Sequence, residues 1–230
     1  MRKNVITLML ILLSCFSARG QFYRGVEGLV HSPSAEMRQK ASLRVGGFYA
    51  SGDFLPKNNY GTGYAPSFFV SLTPYEWVEA SYMISVWEKD GDPLQDRSIF
   101  LKVRPLKEGK WWPAIVFGAQ DPLGSAVYTK LYSNVYFAAS KHINIPGVEI
   151  GVHASYRHYF SQTNEKWNGI VGGITVRPEF YKPLRLIAEW NGCETILGAE
   201  TELLDFLNLQ VALEDFKRLN FGIMLEIKQL

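Results

Sequence analysis

The sequence predicts an all-β protein, an antiparallel transmembrane β-barrel of about twelve strands preceded by a signal peptide. Three observations indicate this fold: a basic and apolar N-terminus, a long series of segments in which apolar and polar residues alternate, and aromatic residues at the ends of those segments. Alternation with a period of two places the two kinds of side chain on opposite faces of a strand.

Residues 1–20 are predicted to be a signal peptide that is removed on export. Two basic residues follow Met1, residues 5–16 are mostly apolar, and small residues stand at positions 18 and 20, where a signal peptidase reads the chain. The apolar run is shorter than the roughly 20 residues that a membrane-spanning helix needs. Lipoprotein processing at Cys15 is the alternative, because residues 12–15 loosely resemble a lipobox.

The composition of the exported chain argues against a nucleic-acid partner. The whole sequence has 24 Lys+Arg and 22 Asp+Glu, and three of the basic residues (Arg2, Lys3 and Arg19) belong to the predicted signal. Residues 21–230 therefore carry 21 basic against 22 acidic residues, a net charge of −1. Cys193 would be the only exported cysteine, which excludes an internal disulfide, and no spacing of residues predicts a metal site or a cofactor.

The alternating segments are each about ten residues long. In the clearest one, Val148, Ile150 and Val152 fall on one face, and Glu149 and His153 fall on the other. The segments are residues 41–50, 63–72, 75–87, 97–105, 111–120, 131–140, 147–158, 168–177, 183–191, 193–202, 206–214 and 220–229. Their even number suits a closed single-chain bacterial barrel, and so does the alternation of longer and shorter connections between the first eight segments.

A soluble β-sandwich would alternate as well, but two features favour a membrane barrel. Aromatic residues near the segment ends are typical of the girdles of such barrels: Tyr49, Trp77, Trp87, Trp111, Trp112, Tyr132, Trp167 and Trp190. The pattern of Asn220, Gly222, Leu225 and Ile227 resembles the C-terminal targeting signal of outer-membrane barrels, although Leu230 replaces the usual terminal aromatic residue. These features predict location in the cell outer membrane, with outer-membrane lipid and the barrel-assembly machinery as partners.

Residues 21–40 do not alternate and precede the first predicted strand. Their glycines and Pro33 suit an irregular segment. The sequence leaves two positions open for this segment: a tail in the periplasm, or a plug inside the barrel that would close the pore.

Several motifs in the middle of the chain are distinctive: residues 96–104 (DRSIFLKVR), 107–114 (KEGKWWPA), 117–124 (FGAQDPLG) and 138–141 (AASK). Together with residues 28–35 and 185–190 they resemble the YjbH-like family of outer-membrane barrels associated with exopolysaccharide production. The resemblance implies a non-enzymatic role in making or exporting a surface polysaccharide, alone or with the proteins of an export complex. It supplies no catalytic residues, and this chain has room for only one small barrel, unlike the larger members.

The polar faces of the predicted strands carry the candidate functional residues: Glu79, Lys102, Arg104, Glu149, His153, Arg157, Arg185, Glu189, Glu200, Gln210 and Glu214. In one interpretation they pair with one another and fill the lumen. In the other they line a polar passage or a wall that contacts a glycan. Pairing is expected in both cases, because an unpaired buried charge costs several kcal/mol.

The alternatives to this role are a general structural barrel and a lipid-modifying hydrolase. His153 and Ser155 would share one face of a strand, and outer-membrane phospholipases use a His-x-Ser pair of this kind. However, the alternation predicts that this face points into the lumen, whereas a lipid hydrolase needs it to face lipid. The sequence therefore predicts no enzymatic activity. His142 is expected in a periplasmic turn, without a partner at metal-binding distance.

Overall fold

The computed structural model describes residues 25–51, 64–89, 92–122 and 133–228, and the predicted signal peptide with its alternative cleavage site lies outside them. The described chain forms two short 3-10 helices, Gln162–Trp167 and Glu179–Tyr181, and twelve strands. The strands are β1 (Ser42–Ser51), β2 (Tyr64–Tyr75), β3 (Val78–Lys89), β4 (Asp92–Leu106), β5 (Ala114–Gln120), β6 (Asn134–Ile145), β7 (Val148–Tyr159), β8 (Gly169–Pro178), β9 (Leu184–Trp190), β10 (Thr195–Leu203), β11 (Leu207–Glu214) and β12 (Arg218–Lys228). Within these ranges, no helix is long and apolar enough to cross a membrane.

The twelve strands form a closed antiparallel barrel. Each strand pairs with its neighbours in sequence, and β1 closes the circle by pairing with β12, with Ser42 opposite Lys228 and Tyr49 opposite Phe221. Closure leaves no strand edge with unpaired backbone groups, which is the condition for β-structure in lipid. The predicted fold class and strand number are confirmed.

Two strands differ from their predicted bounds in a way that affects the site. β4 begins at Asp92 instead of residue 97, and β6 continues to Ile145 instead of ending at residue 140. His142 was expected in a turn, and this prediction is wrong: it lies in β6, directly opposite Gly151 of β7. The tight turn at residues 146–147 lets β6 run on beyond its predicted end, directly up to the start of β7 at Val148.

The alternation places apolar side chains outside and polar side chains inside. In β12, Ile223, Leu225 and Ile227 are 57%, 52% and 55% exposed, whereas Asn220 and Glu226 on the other face are buried. Most charged residues of the barrel wall thus point to the lumen, and the outer surface is covered mainly with apolar side chains, with Arg97 of β4 as an exposed charge among them. This is the inverse of the arrangement in a water-soluble protein.

Five of the predicted girdle residues are exposed on the outside: Tyr49, Trp77, Trp111, Trp112 and Trp190. The placement of Trp167 in a girdle is wrong, because its side chain is completely buried. The 3-10 helix that ends at Trp167 directs the indole inward, where it packs against the rings of His31 and Tyr159 at centroid distances of 4.9 and 5.9 Å. The side chain of Trp87 and the whole of Tyr132 lie outside the described part of the chain.

Candidate functional site in the barrel lumen

Residues 25–38, which we call the lumen segment, lie inside the barrel. Val26, Leu29, Val30 and Ala35 are at most 1% exposed. Hydrogen bonds and ion pairs join the segment to inward-facing residues of eight strands, β1, β2, β3, β4, β6, β7, β8 and β9: Arg44, Ser71, Glu79, Lys102, Ser140, Arg157, Arg177, Arg185 and Glu189. Of the two positions that the sequence left open, the described residues occupy the one within the barrel.

Apolar side chains of the segment pack against apolar residues of the wall. Val26, Leu29 and Val30 belong to a buried cluster with the inward-facing residues Phe48, Phe69, Met83, Phe100, Ile187, Ile196 and Met224. Gly198 of β10 makes the closest approach possible, because a Cβ atom at this position would lie 2.7 Å from Cγ2 of Val30. The lumen segment is therefore complementary in shape to the inner surface of the barrel wall.

Glu189 of β9 anchors the middle of the segment. Its carboxylate accepts hydrogen bonds from three successive backbone amides, those of Val30 (2.6 Å), His31 (3.0 Å) and Ser32 (2.9 Å), and from the Ser32 hydroxyl (3.2 Å). Successive amides that converge on one anion form a nest, and hydrogen bonds to a charged acceptor are the stronger kind. The buried carboxylate is thus satisfied by the segment itself.

Glu79 of β3 anchors both ends of the segment. It accepts a hydrogen bond from the amide of Glu27 at 3.0 Å and from Nε of Arg38 at 2.8 Å, and Nη2 of Arg38 also contacts it. The Arg38 Nη2 group donates further to the Gly25 carbonyl and to the Ser71 hydroxyl, both at 2.7 Å. The Arg38 and Glu79 side chains are completely buried. If one of them is removed, water therefore cannot solvate the charge of the other.

Three cationic side chains of the wall donate to backbone carbonyls of the segment. Lys102 reaches Glu27 O at 2.6 Å, Arg157 reaches His31 O at 3.1 Å, and Arg185 reaches Gly28 O at 3.0 Å. Carbonyl groups that carry no strand partner are satisfied in this way, which is what allows an irregular segment to be buried. Lys102 also donates to the Glu36 carbonyl, and Arg157 to the carbonyls of Trp167 and Asn191.

The other residues predicted for the polar faces lie along the rest of the lumen wall. Arg104 and Glu149 lie near the end of the barrel that carries the short turns, where they contact the Glu76 carbonyl at 2.7 Å and Arg177 at 2.6 Å. Glu214 lies at the opposite end, beside Arg218 at 3.1 Å. Glu200 is buried 3.6 Å from Arg185, and Gln210 is buried on β11. The eleven candidates thus line the whole length of the lumen.

Sequence reasoning missed the charged residues of the lumen segment, above all Glu36. Its carboxylate contacts Arg185, and it lies 3.1 Å from Arg177 Nη2 and 3.2 Å from His142 Nε2. Burial alone would raise the pKa of Glu36, but Arg185, followed by His153, His142 and Arg177, holds this pKa well below its usual range. Glu36 is therefore ionised at neutral pH.

A cavity of about 290 Å³ lies next to Glu36 at the short-turn end of the barrel. Its lining includes Glu108, His142, Glu149 and Arg177. The expectation that His142 has no partner at metal-binding distance is wrong: its Nδ1 lies 2.7 Å from Oε2 of Glu108, in addition to the Glu36 contact of Nε2. No sequence pattern could indicate this, because Glu36 and His142 are 106 residues apart.

His153 and Ser155 both face the lumen, but their hydrogen bonds go to other groups. The His153 ring contacts the hydroxyls of Ser140 at 2.8 Å and Thr175 at 3.0 Å, whereas Ser155 donates to the Val171 carbonyl at 3.3 Å. Both side chains are at most 5% exposed. A histidine that does not contact the serine cannot remove its proton, so this pair lacks the geometry of a nucleophile and its base.

Among solved structures, an outer membrane channel from Pseudomonas putida F1 superposes with a TM-score of 0.44 and 10% sequence identity, over 84% of this chain and 97% of that one. Outer membrane phospholipase A from Escherichia coli superposes with a TM-score of 0.38 and 13% identity, over 84% of this chain and 98% of that one.

None of the curated protein sequences matches this chain. A family model described as "Exopolysaccharide biosynthesis protein YbjH" matches residues 21–172, which is more than half of the 230 residues. The chain therefore belongs to the YjbH family of exopolysaccharide biosynthesis proteins.

Proposed function

We propose that this chain is a non-enzymatic barrel of the cell outer membrane that takes part in making or exporting an exopolysaccharide, with a lumen closed by its own N-terminal segment. The observation that carries the proposal is the family match over residues 21–172. This range contains the whole lumen segment and strands β1–β7. The part of the chain that the family shares thus includes seven of the twelve strands of the wall and the segment that fills it.

The surface of the barrel supports a position in the membrane. The outward faces are mostly apolar, with Arg97 of β4 as an exposed charge, and the sheet is closed, so the wall offers lipid an apolar surface without unpaired backbone groups. In β12, Leu225 and Ile227 face outward, whereas Asn220 and Gly222 lie on the inner face. We propose that this strand is the element that the barrel-assembly machinery recognises.

In our proposal the charged residues of the lumen hold the lumen segment in place. They contact a glycan only when the segment has moved out of the lumen. Glu79, Arg157 and Glu189 are buried and bonded to the segment. The cavity of about 290 Å³ at the short-turn end is at the lower limit of small-molecule pockets, roughly 300–1,000 Å³. A polymer cannot pass through such a space, so export through this lumen would require a partner, such as a protein of an export complex, that displaces the segment.

The proposed role in exopolysaccharide production and the alternative of a general structural barrel predict different results in a deletion strain. Loss of this chain should reduce the secreted exopolysaccharide, and a plasmid-borne copy should restore it, while resistance to detergents and large antibiotics stays unchanged. A general structural barrel would instead show damage to the envelope without a specific loss of polysaccharide, and this result would contradict the proposal. Secreted sugar and envelope permeability are measured on the same cultures.

A Ser155→Ala variant separates the hydrolase alternative. Because Ser155 donates to a backbone carbonyl and does not contact His153, we expect this variant to restore exopolysaccharide to the wild-type level. Loss of function in Ser155→Ala, together with lipid hydrolysis by the purified wild-type protein, would favour an enzyme.

A further inference from the structure

We propose that Glu36, His142 and His153 bind one divalent transition-metal ion of the zinc type, and that this ion ties the lumen segment to the barrel wall. Each residue offers one ligand atom, and these atoms lie within 4.8 Å of one another. The three residues come from the lumen segment, β6 and β7. Two imidazoles and one carboxylate, with a fourth position left for water, form a ligand set that zinc accepts in proteins.

The present distances are close to those of a bound site. Tetrahedral ligands at about 2.1 Å from zinc lie about 3.4 Å from one another. Glu36 Oε1 and His142 Nε2 are already 3.2 Å apart, and the two imidazole rings have a centroid distance of 5.6 Å. Side-chain shifts of roughly one ångström therefore complete the site, and the backbone need not move.

Both histidines are held by a second group through the nitrogen that faces away from the site. Nδ1 of His142 contacts the Glu108 carboxylate at 2.7 Å, and Nδ1 of His153 contacts the Ser140 hydroxyl at 2.8 Å. Such partners fix the orientation of a metal-binding imidazole and raise its basicity. In this tautomer Nε2 of each ring is free to bind the metal, and Thr175 gives up its contact with His153.

Gly151 leaves the space into which both rings turn. A Cβ atom there would lie 2.7 Å from Nε2 of His153 and 3.0 Å from Cδ2 of His142. The cavity of about 290 Å³ is lined by Glu36 and His142 and gives a metal ion a route to the site from the short-turn end.

Two arginines contact Glu36 and oppose a cation, but they do not occupy the whole carboxylate. Arg185 faces Oε2, whereas Oε1 faces His142 and Arg177, and Arg177 also pairs with Glu149 at 2.6 Å. The metal would replace the hydrogen bond between His142 and Oε1. Neutral imidazoles and an ionised carboxylate bring one negative charge to the ion, and Glu108 adds a second beside it.

The test is zinc binding to the full-length protein, purified without a histidine tag, stripped with EDTA and titrated with zinc by calorimetry. We expect one zinc ion per chain, and free zinc at 100 times the dissociation constant should shift the unfolding equilibrium about 100-fold toward the folded state. Cobalt in place of zinc should give the visible absorption bands of a four-coordinate site.

Variants distinguish this site from adventitious binding. Glu36→Gln keeps the shape of the side chain and should abolish stoichiometric binding, and Glu108→Gln should weaken binding about 10–100-fold. His158→Ala is the matched control, because His158 lies on the exposed outer face of β7. This variant should bind zinc as tightly as the wild-type protein. No stoichiometric zinc in the wild type, or equal binding by Glu36→Gln, would overturn the proposal.

Discussion

Deletion of residues 25–37 should change a poorly conducting barrel into an open pore in planar lipid bilayers. The segment fills the lumen through its contacts with eight strands, and the charged wall residues that hold it would face water after its removal. Charges in a water-filled lumen are solvated and need no ion-pair partner. We therefore expect the twelve strands to remain paired in a closed ring around the open pore. Twelve strands enclose more space than the eight of barrels whose side chains fill the interior.

A milder variant tests the same closure with the segment in place. Glu189→Ala removes the acceptor of three backbone amides and should give brief channel openings. Glu76→Gln lies in an exposed turn and should leave the conductance at the wild-type level. Single-channel recordings compare the four proteins, after heat-dependent mobility on gels has shown that each one forms a barrel. Equal conductance of the wild type and the deletion variant would show that the segment does not close the lumen.

Arg38→Ala should destabilise the barrel by roughly 3–5 kcal/mol, because it leaves the Glu79 carboxylate buried without its charged partner. The free energy of unfolding is measured by denaturant titration in detergent, followed by tryptophan fluorescence. Lys107→Ala is the matched control. It removes the cation of the Lys107–Glu76 pair, whose side chains are 69% and 57% exposed, and should have little measurable effect.

The double variant Arg38→Ala/Glu79→Ala completes the comparison. When both charges are absent the Glu79 carboxylate is no longer left uncompensated, and only Glu27 still loses its 3.8 Å ion pair with Arg38, so the double variant should lose less stability than the sum of the two single variants. Additive losses would mean that Arg38 and Glu79 contribute through packing alone, which would contradict the role of Glu79 as a charged anchor.

Periodicity made the wall of this protein predictable from its sequence. Alternation such as that of Phe221, Ile223 and Leu225 depends only on neighbouring residues, so it gave the strand number and the inward position of residues such as Glu79 and Glu189. The bounds were less accurate where the pattern weakens, as in β6, which extends past His142. A tight turn after a strand can lengthen it without any change in local hydrophobicity.

The contents of the lumen could not be predicted in the same way. The lumen segment has no period, and its position depends on contacts such as that between Val30 and Glu189, which are 159 residues apart. Trp167 was assigned to an outer girdle because its type and place near a strand end suit one, but a 3-10 helix turns it inward. Glu36 and His142 are also distant in the sequence and come into contact only in the folded barrel. No local sequence pattern therefore indicated the cluster that we propose as a metal site.

The most direct test of the central claim, a membrane barrel that holds its own N-terminal segment, is a disulfide between Val30→Cys and Gly198→Cys. The native Cys193 is replaced by serine, and the outer-membrane fraction is analysed by peptide mapping without reduction. A Cβ at Gly198 would lie 2.7 Å from Cγ2 of Val30, a distance that suits the Cβ separation of about 3.5–4.5 Å in a disulfide once that methyl group is gone.

We predict a high yield of the cross-link in the outer-membrane fraction, with neither thiol accessible to a membrane-impermeant maleimide. Free thiols that react with this reagent, or a protein that is found soluble in the periplasm, would contradict the account.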